Sequence, residues 1–192
     1  MGVWARIGRD VRFAKGLSAL LKRVKDIDHD SPNLICDDLE AAVDKFGPRV
    51  ALEFEDRKLS YRDLDMLANR FAHWAKGRGV RRGDTVALFM PNRLEYVAIW
   101  MGMAKIGAAT ALINNNLTGQ ALAHCLNISG ATHCIADRET EEAFEAVRGG
   151  LQRSMMLWVL GLPQSLEASD RRALDPAIKG ASAVRPDRSV RE

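Results

Sequence analysis

The stretch GDTVALFMPNRLEYVAIWMGMAKIGAATALINNN, residues 83–116, holds two short apolar runs on either side of a longer helical pattern. The runs are TVALFM (85–90) and ATALI (109–113), and they lack the polar–apolar alternation of a strand that faces water on one side. The residues between them, 95–106, have the length of a helix. A strand, a helix and a second strand in this order predict a right-handed crossover between parallel strands.

The same alternation continues along the chain. Two further apolar runs, THCIA (132–136) and MLWVL (156–160), are accompanied by helical patterns at 119–128 and 139–147. Strands that alternate with single helices are typical of a parallel sheet covered on both faces. We therefore predict an α/β fold, an incomplete and mainly parallel sheet flanked by helices.

The residues before the first of these strands predict two helices and a hairpin. One helix begins after Ser31 and ends at Gly47, and the apolar runs VALEF (50–54) and KLSY (58–61) then flank a tight turn. Ser60 can cap the next helix because an aspartate follows three residues later.

The N-terminal region predicts a basic amphipathic helix. Apolar side chains recur every three or four positions over residues 3–25, and nearly all the charge there comes from Arg and Lys. The apolar positions are Val3, Ile7, Val11, Ala14, Leu17, Leu21 and Val24. Such a helix can lie on an anionic membrane surface, and it can equally dock on its own protein. The sequence leaves both alternatives open.

The predicted domain organisation has three parts. Residues 1–30 form the basic amphipathic helix, and residues 31–162 form a partial α/β domain. Residues 163–192 mix Arg, Asp, Ser, Ala and Pro with little apolar periodicity. This composition predicts a polar, loosely ordered tail or linker.

Bulk composition excludes several classes of protein. With 192 residues, 47% hydrophobic content and a net charge of +3, the chain can bury one core but lacks the charge of a dedicated nucleic-acid binder. We therefore expect no nucleic-acid partner. Cys36, Cys125 and Cys134 form no CxxC pair, which favours reduced thiols in a cytosolic setting.

The longest apolar stretch, residues 96–113, approaches the length of a membrane span. Lys105 lies inside it, and Gly102 and Gly107 interrupt it, so we interpret it as a buried helix followed by a buried strand. Arginines interrupt the N-terminal region, which is therefore not a secretory signal. We expect a cytoplasmic protein, either free or peripheral at the inner face of a membrane.

Two glycine-containing stretches superficially match phosphate loops. GRGVRRG (77–83) and SGATH (129–133) each close a predicted helix and open a strand. A phosphate loop has the opposite arrangement, since it follows a strand and opens a helix. We interpret both stretches as helix caps and turns.

The histidines and cysteines do not predict a metal site. The pairs His124-Cys125 and His133-Cys134 lie in a predicted helix and a predicted strand, where adjacent side chains diverge. His29 and His73 have no visible nucleophile partner. We predict no catalytic residue, no cofactor-binding residue and no metal ligand in this chain.

The carboxyl ends of three predicted strands lead into Met90-Pro91-Asn92, Asn114-Asn115-Asn116 and Asp137. Ligands of parallel sheets gather beyond the carboxyl ends of the strands. Asn and Asp also satisfy backbone groups in ordinary turns. These positions are therefore candidates for either a ligand site or a set of turns.

Four sequence blocks occur in a fixed order within residues 59–137: LSYRDLDMLANRFA, GDTVALFMPN, KIGAATALIN and LAHCLNISGA. Their order resembles the N-terminal region of the acyl-adenylate-forming (AMP-binding) ligases. Within that superfamily the chain is most similar to the fatty acid transport protein and very-long-chain acyl-CoA synthetase branch. The resemblance extends from about Pro32 to Gly161.

The resemblance implies a two-step reaction. ATP and a fatty acid give an acyl-adenylate and pyrophosphate with Mg²⁺, and the thiol of CoA then displaces AMP. The phosphate loop of the family and its later aspartate, arginine and lysine motifs have no match here, and RPDRSVRE (185–192) resembles the linker that precedes that loop. We therefore expect an N-terminal fragment of a long-chain or very-long-chain fatty acid CoA ligase, which is inactive alone and binds ATP, Mg²⁺ and CoA poorly.

Two alternatives to this interpretation stay open. The chain could be a non-catalytic, membrane-associated module that binds a lipid or a partner through residues 3–25, or the stub of a disrupted gene. By the same resemblance, Asn114, Asn115 and Asn116 are expected to shape the floor of a ligand cleft as scaffold rather than as catalysts.

Overall fold

The computed structural model describes residues 3–24 and 33–191. The chain divides into two compact units, Met1–Asn33 and Leu34–Glu192. The described part of the first unit is a helix, α1 (Val3–Val24), as the periodicity of residues 3–25 predicts. Among the described residues, no helix combines the length and the apolar character needed to cross a bilayer.

The second unit contains an antiparallel hairpin and a five-stranded parallel sheet with the strand order β4-β3-β5-β6-β7. Its helices and strands, in chain order, are α2 (Ile35–Phe46), β1 (Val50–Phe54), β2 (Arg57–Ser60), α3 (Tyr61–Gly77), β3 (Thr85–Phe89), α4 (Leu94–Ala104), β4 (Ala109–Leu112), α5 (Gly119–Ser129), β5 (His133–Asp137), α6 (Glu141–Arg148), β6 (Met156–Leu160), β7 (Arg171–Ala173) and α7 (Leu174–Lys179). The predicted α/β fold with a parallel sheet flanked by helices is confirmed.

The local signals around the hairpin are also confirmed. Strands β1 and β2 pair through a two-residue turn in which Glu55 has a φ of 54°. Ser60 then caps α3, because its Oγ accepts a hydrogen bond from the backbone N–H of Asp63 at 3.1 Å. The Asp63 carboxylate accepts a hydrogen bond from the Ser60 N–H at 3.3 Å, which completes a capping box.

Each central strand buries both of its faces. In β3, Val86 and Leu88 pack with α3, α4 and α7, whereas Ala87 and Phe89 pack with α5 and α6. All four side chains are fully buried. Successive residues of a strand point to opposite faces, so a strand covered on both sides must be apolar throughout.

Helices α3 and α4 approach each other closely at Gly102. A Cβ atom built at this position would lie 2.7 Å from the carbonyl oxygen of Ala68 and 2.7 Å from the Cβ of Phe71. Both of those atoms belong to α3 and are held by the packed helix. Gly102 therefore sets the distance between the two helices.

Strand β4 differs from the buried strand that the sequence predicts. It lies at one edge of the sheet and, among the strands of the described residues, pairs only with β3. Ala109 and Leu112 are exposed, with Leu112 46% exposed. Apolar composition alone does not separate an edge strand from a central one, because the number of neighbours depends on the order of strands in the sheet.

The region predicted as a loosely ordered tail or linker, 163–192, instead contributes to the sheet and the core. Strand β7 pairs in parallel with β6, and Leu174 and Ile178 of α7 are buried in the core. Three residues are enough for β7 because strand pairing uses backbone groups that every sequence supplies. The prediction was wrong because residues 163–192 contain too few apolar side chains to show the periodicity of a strand or a helix.

Candidate functional site

The segments 90–92 and 114–116 and the residue Asp137, at the carboxyl ends of β3, β4 and β5, lie at one edge of the sheet. The register places Leu88 beside Leu112 and Phe89 beside Ala136, so all three strands end at the same level. The prediction that residues 90–92, 114–116 and Asp137 share the carboxyl edge is confirmed.

Asp137 organises the loop after β5. Its side chain is 1% exposed, and its Oδ2 lies 2.8 Å from Nη2 of Arg93 in an ion pair. Its Oδ1 accepts hydrogen bonds from the N–H groups of Glu139, at 3.0 Å, and Thr140, at 3.2 Å. The carboxylate is thus engaged on both oxygens, which is the pattern of a loop anchor rather than of an acid that binds a ligand.

Thr140 extends this anchor to the neighbouring strand. Its hydroxyl donates a hydrogen bond to the carbonyl oxygen of Phe89 at 2.6 Å and lies 3.1 Å from Oδ1 of Asp137. The side chain of Thr140 is buried. The loops after β3 and β5 are therefore fixed to each other before α6 begins.

The three asparagines form a turn. Oδ1 of Asn114 accepts a hydrogen bond from the N–H of Asn116 at 3.0 Å, and the carbonyl of Asn114 accepts one from the N–H of Leu117 at 3.1 Å. All three asparagines are exposed. The turn interpretation of residues 114–116 agrees with these contacts.

A cleft of about 540 Å³ opens at the same end of the sheet. Its lining comes from β2, α3, the start of α4, the end of β6 and α7: Arg57, Leu67, Arg70, Phe71, Arg93, Glu95, Leu160, Gly161, Asp175, Ile178 and Lys179. None of the asparagines at 114–116 is part of this lining, so their expected place in the floor of a ligand cleft is not found at this cleft.

The charged groups of the cleft are largely held by other protein groups. Arg57 and Glu95 form an ion pair at 2.6 Å, and this hydrogen bond raises the pKa of Arg57 above its ordinary value. Arg93 contacts Asp137 and also lies 3.3 Å from Glu139. The lining contains no Ser, Cys or His, so this cleft offers groups that bind rather than a nucleophile or an imidazole base.

The glycine-containing stretches that the sequence assigns to caps and turns have that role. Gly79 and Gly83 lie between α3 and β3 with φ values of 86° and 83°. Gly130 ends α5 in the left-handed conformation, with a φ of 67°. Neither stretch follows a strand and opens a helix.

The histidines and cysteines are placed separately. Cys134 is fully buried in β5, and this burial raises the pKa of its thiol. Burial lowers the pKa of the adjacent His133, and the nearby positive charge of Arg78 lowers it further. His73 lies 2.9 Å through Nε2 from the carbonyl oxygen of Val184, whereas His29 lies outside the described residues. Over residues 3–24 and 33–191, no three His, Cys, Asp or Glu side chains gather in a way that could hold a metal ion.

A charge cluster around the buried Lys105, which we call the Lys105 cluster, joins α2, α3 and the end of α4 to the C-terminal segment. Its members are Asp37, Glu40, Asp44, Asp65, Lys105, Arg185 and Arg191. Lys105 is fully buried and ion-paired with Glu40 and, at 2.8 Å, with Asp65. Such a cation needs both charge partners and hydrogen bonds to be tolerated away from water.

Two arginines of the C-terminal segment complete the Lys105 cluster. Nε of Arg185 lies 3.0 Å from Asp65, and Nη2 of Arg191 lies 2.6 Å from Asp37. Burial acts to raise the pKa of Glu40, but hydrogen bonds from Lys105 and Arg191 outweigh it and hold that pKa below its ordinary value.

The only sequence signal of this cluster is Lys105 itself, a charge inside the apolar stretch 96–113. Its partners lie on other elements at least 40 positions away along the chain. Lys105 indicates from the sequence that residues 96–113 do not span a membrane, but no local pattern identifies the carboxylates that hold it.

Comparison with known proteins gives consistent matches. The profile of the family described as "AMP-binding enzyme" matches residues 39–188. The chain is 36% identical over 127 residues to long-chain fatty acid transport protein 1 of Homo sapiens. The aligned residues cover 65% of this chain and 20% of that protein.

Two solved structures show the same fold. The anthranilate CoA ligase AuaEII, in complex with anthranoyl-AMP, superposes with a TM-score of 0.71 at 26% sequence identity. The match covers 78% of this chain and 28% of the ligase chain. A Mycobacterium tuberculosis fatty acyl CoA synthetase superposes with a TM-score of 0.65 at 27% sequence identity. The match covers 83% of this chain and 30% of the synthetase chain. The chain thus spans less than a third of each of these relatives.

Proposed function

The chain belongs to the AMP-binding enzyme family, and on this premise we propose that it is the N-terminal part of a long-chain or very-long-chain fatty acid CoA ligase. The complete ligase would join a fatty carboxylate to ATP with release of pyrophosphate. The thiol of CoA would then attack the acyl-adenylate, with AMP as the leaving group. The observation that carries this proposal is the match over residues 39–188, together with relatives whose names specify long-chain fatty acid transport and fatty acyl CoA synthesis.

In this proposal the chain supplies scaffold rather than reacting groups. Mg²⁺ would need a carboxylate with free oxygens, but Asp137 is engaged by Arg93 and by two backbone N–H groups. A triphosphate would need several uncompensated cations, but two of the four that line the cleft, Arg57 and Arg93, already face carboxylates. These residues do not fit a metal or a triphosphate, which supports an inactive isolated chain.

A pyrophosphate-release assay tests this proposal. The purified 192-residue chain is incubated with ATP, Mg²⁺, palmitate and CoA, and the full-length fatty acyl CoA synthetase of M. tuberculosis serves as the active control. We expect no release above a protein-free blank. Sustained turnover by the isolated chain would refute its assignment as scaffold.

A second function, membrane-surface binding, is favoured by the exposed side chains of α1. Six of its large apolar side chains, among those whose exposure the structure describes, are 44–71% exposed: Val11, Phe13, Leu17, Leu20, Leu21 and Val24. Lys15 and Lys22 lie on the same helix and are also exposed. An apolar stripe beside cationic side chains is the pattern of a helix that lies in the interface of an anionic bilayer.

Vesicle co-sedimentation separates this function from a scaffold role of α1. Binding of the chain to phosphatidylserine-containing vesicles is compared with binding of a version that begins at Asp26. We expect loss of binding in the shortened chain, and about fivefold weaker binding in Lys15→Gln, because each such charge contributes about 1 kcal/mol near an anionic surface. Lys58→Gln, in β2 of the second unit, is the matched control. Equal sedimentation of the full and shortened chains would exclude membrane binding through α1.

A further inference from the structure

A separate cavity lies between the end of α3, strands β6 and β7, and α7. Its volume of about 420 Å³ is within the range of sites for small molecules. It shares no lining residue with the cleft at the carboxyl edge. Trp158 of β6 and Arg172 of β7 are partners in the parallel register, so both side chains leave the sheet on the face where α3 and α7 pack.

Two guanidinium groups line this cavity. Cζ of Arg78 lies 4.8 Å from the centroid of the Trp158 ring, and no carboxylate in the described part of the chain forms an ion pair with Arg78. Stacking on the ring holds this guanidinium in place without cancelling its charge. Nη1 of Arg172 lies 3.8 Å from Oε2 of Glu167, which is longer than a hydrogen bond.

Glu167 is the acidic residue of the lining. Its Oε1 accepts a hydrogen bond from the backbone N–H of Ala173 at 2.9 Å, which anchors the carboxylate to β7. One carboxylate can neutralise only one of the two guanidinium groups. The lining therefore keeps one positive charge in excess.

Trp158 adds a polar group that the protein leaves unsatisfied. This residue is 4% exposed, and its Nε1–H has no hydrogen-bond acceptor among the described residues. A buried donor without an acceptor costs free energy, because it has lost its contact with water. Positive charge and N–H donors thus prevail in this lining, which makes it complementary to an oxyanion.

We propose that this cavity binds a small phosphomonoester, a phosphate dianion esterified to a short organic group. One guanidinium fork satisfies both oxygens of a carboxylate, whereas a phosphomonoester has three terminal oxygens and can accept from Arg78 and Arg172 together. Pro176 and Ala177 also line the cavity and provide contact for the organic group. This site goes beyond the proposed function, because it lies apart from the carboxyl edge and requires neither ATP nor a fatty acid.

A bound dianion should be detectable at His133. Burial lowers the pKa of His133, the positive charge of Arg78 lowers it further, and the negative charge of Asp84 opposes both effects. A dianion beside Arg78 offsets that positive charge, so it should raise the pKa of His133 toward its ordinary value. NMR titration of the histidine ring protons, with and without glycerol 3-phosphate, measures this shift. His133→Asn identifies the signal, and His124 of α5, on the opposite face of the sheet, is the internal reference.

Calorimetric titration of the full chain with glycerol 3-phosphate, without ATP or fatty acid, tests the proposal directly. We expect one saturable site, weaker binding of inorganic phosphate, and no measurable binding of glycerol, which lacks the phosphate. Absence of saturable binding would overturn the proposal. Vesicles that contain phosphatidate present the same phosphate group on a lipid. Vesicle binding that is lost in Arg78→Gln, without binding of glycerol 3-phosphate, would also overturn the assignment of a small soluble ligand.

Variants of the lining give effects of opposite sign. Arg78→Gln should weaken binding of glycerol 3-phosphate about two- to fivefold, the range expected of an exposed ion pair. Glu167→Gln should strengthen it by about the same factor, because it removes the opposing charge and keeps an acceptor for the Ala173 N–H. Arg153→Gln, an exposed cation that lines a different cavity, should leave binding unchanged.

Thermal melting of each variant distinguishes lost binding from lost folding. Arg78 is exposed, so its replacement keeps the test decisive even if another variant does not fold. Equal affinities of the folded wild-type, Arg78→Gln and Glu167→Gln proteins would overturn the proposal, as would an unchanged pKa of His133 at saturating ligand. The absence of ATP and fatty acid keeps these outcomes separate from that of the pyrophosphate assay.

Discussion

Replacement of Lys105 by methionine removes the fully buried cation of the Lys105 cluster while keeping a side chain of similar length. The side chains of Glu40 and Asp65 are only 18% and 7% exposed, so their charges would stay out of water. Removal of one partner of a buried ion pair costs about 3–5 kcal/mol, because the remaining charge is left uncompensated. Arg191, 3.3 Å from Glu40, and Arg185, 3.0 Å from Asp65, still neutralise part of that charge. We therefore expect the lower end, about 3 kcal/mol.

Urea unfolding of the purified chain, followed by tryptophan fluorescence, measures this loss. Trp74 and Trp158 pack edge to face with ring centroids 5.0 Å apart in the core, so unfolding changes the environment of both. With a slope of about 1–3 kcal/mol per molar urea, a loss of about 3 kcal/mol lowers the unfolding midpoint by roughly 1–3 M.

A matched surface variant and a double-mutant cycle isolate the effect of burial. Lys58→Met removes the cation of an exposed ion pair with Glu53, whose two side chains are each 56% exposed. This variant should lose less than about 1 kcal/mol of unfolding free energy. Lys105→Met combined with Glu40→Gln should cost less than the sum of the single variants, because the neutral amide removes one uncompensated charge. A cost of Lys105→Met no larger than that of Lys58→Met would refute the argument.

Three further predictions concern packing, the asparagine turn and pH. Gly102→Ala should lower the free energy of unfolding by about 1–3 kcal/mol, because the added Cβ overlaps α3. Gly149→Ala is the control and should not lower it, because a Cβ there meets nothing within 4 Å. Urea unfolding of both variants measures the difference. Asn114→Ala should cost about 0.5–1.5 kcal/mol through its lost side-chain hydrogen bond, and an unchanged thermal midpoint would contradict this. The folded-state pKa of His133 lies below its ordinary value of 6.5. The neutral imidazole therefore contributes fully to the stability of the fold above pH 6.5, and this contribution is lost as the pH falls through the folded-state pKa. His133→Asn should therefore have a flatter dependence of unfolding free energy on pH below 6.5, and parallel curves for the two proteins would exclude His133 as the cause.

The candidate site was only partly readable from the sequence. The position of Asp137 at the carboxyl edge follows from the strand that precedes it, because parallel strands end at a common edge. Its ion pair with Arg93 and the hydrogen bond from Thr140 to Phe89 depend on which strands are neighbours in the sheet. The cleft could not be predicted, since its lining joins β2, α3, α4, β6 and α7.

The sequence by itself determined the helices and strands whose causes are local. The apolar runs of β3, β5 and β6, the helices between them and the cap at Ser60 follow from residue spacing and from hydrogen bonds within a few positions. These signals were sufficient for the parallel α/β fold.

Only the tertiary structure decided which strand lies at the edge, how β7 joins the sheet and which groups neutralise Lys105. Strand β7 pairs through backbone atoms that carry no sequence signal, and Lys105 meets Glu40 across 65 positions of chain. A charge can remain in the core only where folding brings opposite charges to it. Its partners are therefore properties of the folded chain and not of any local segment.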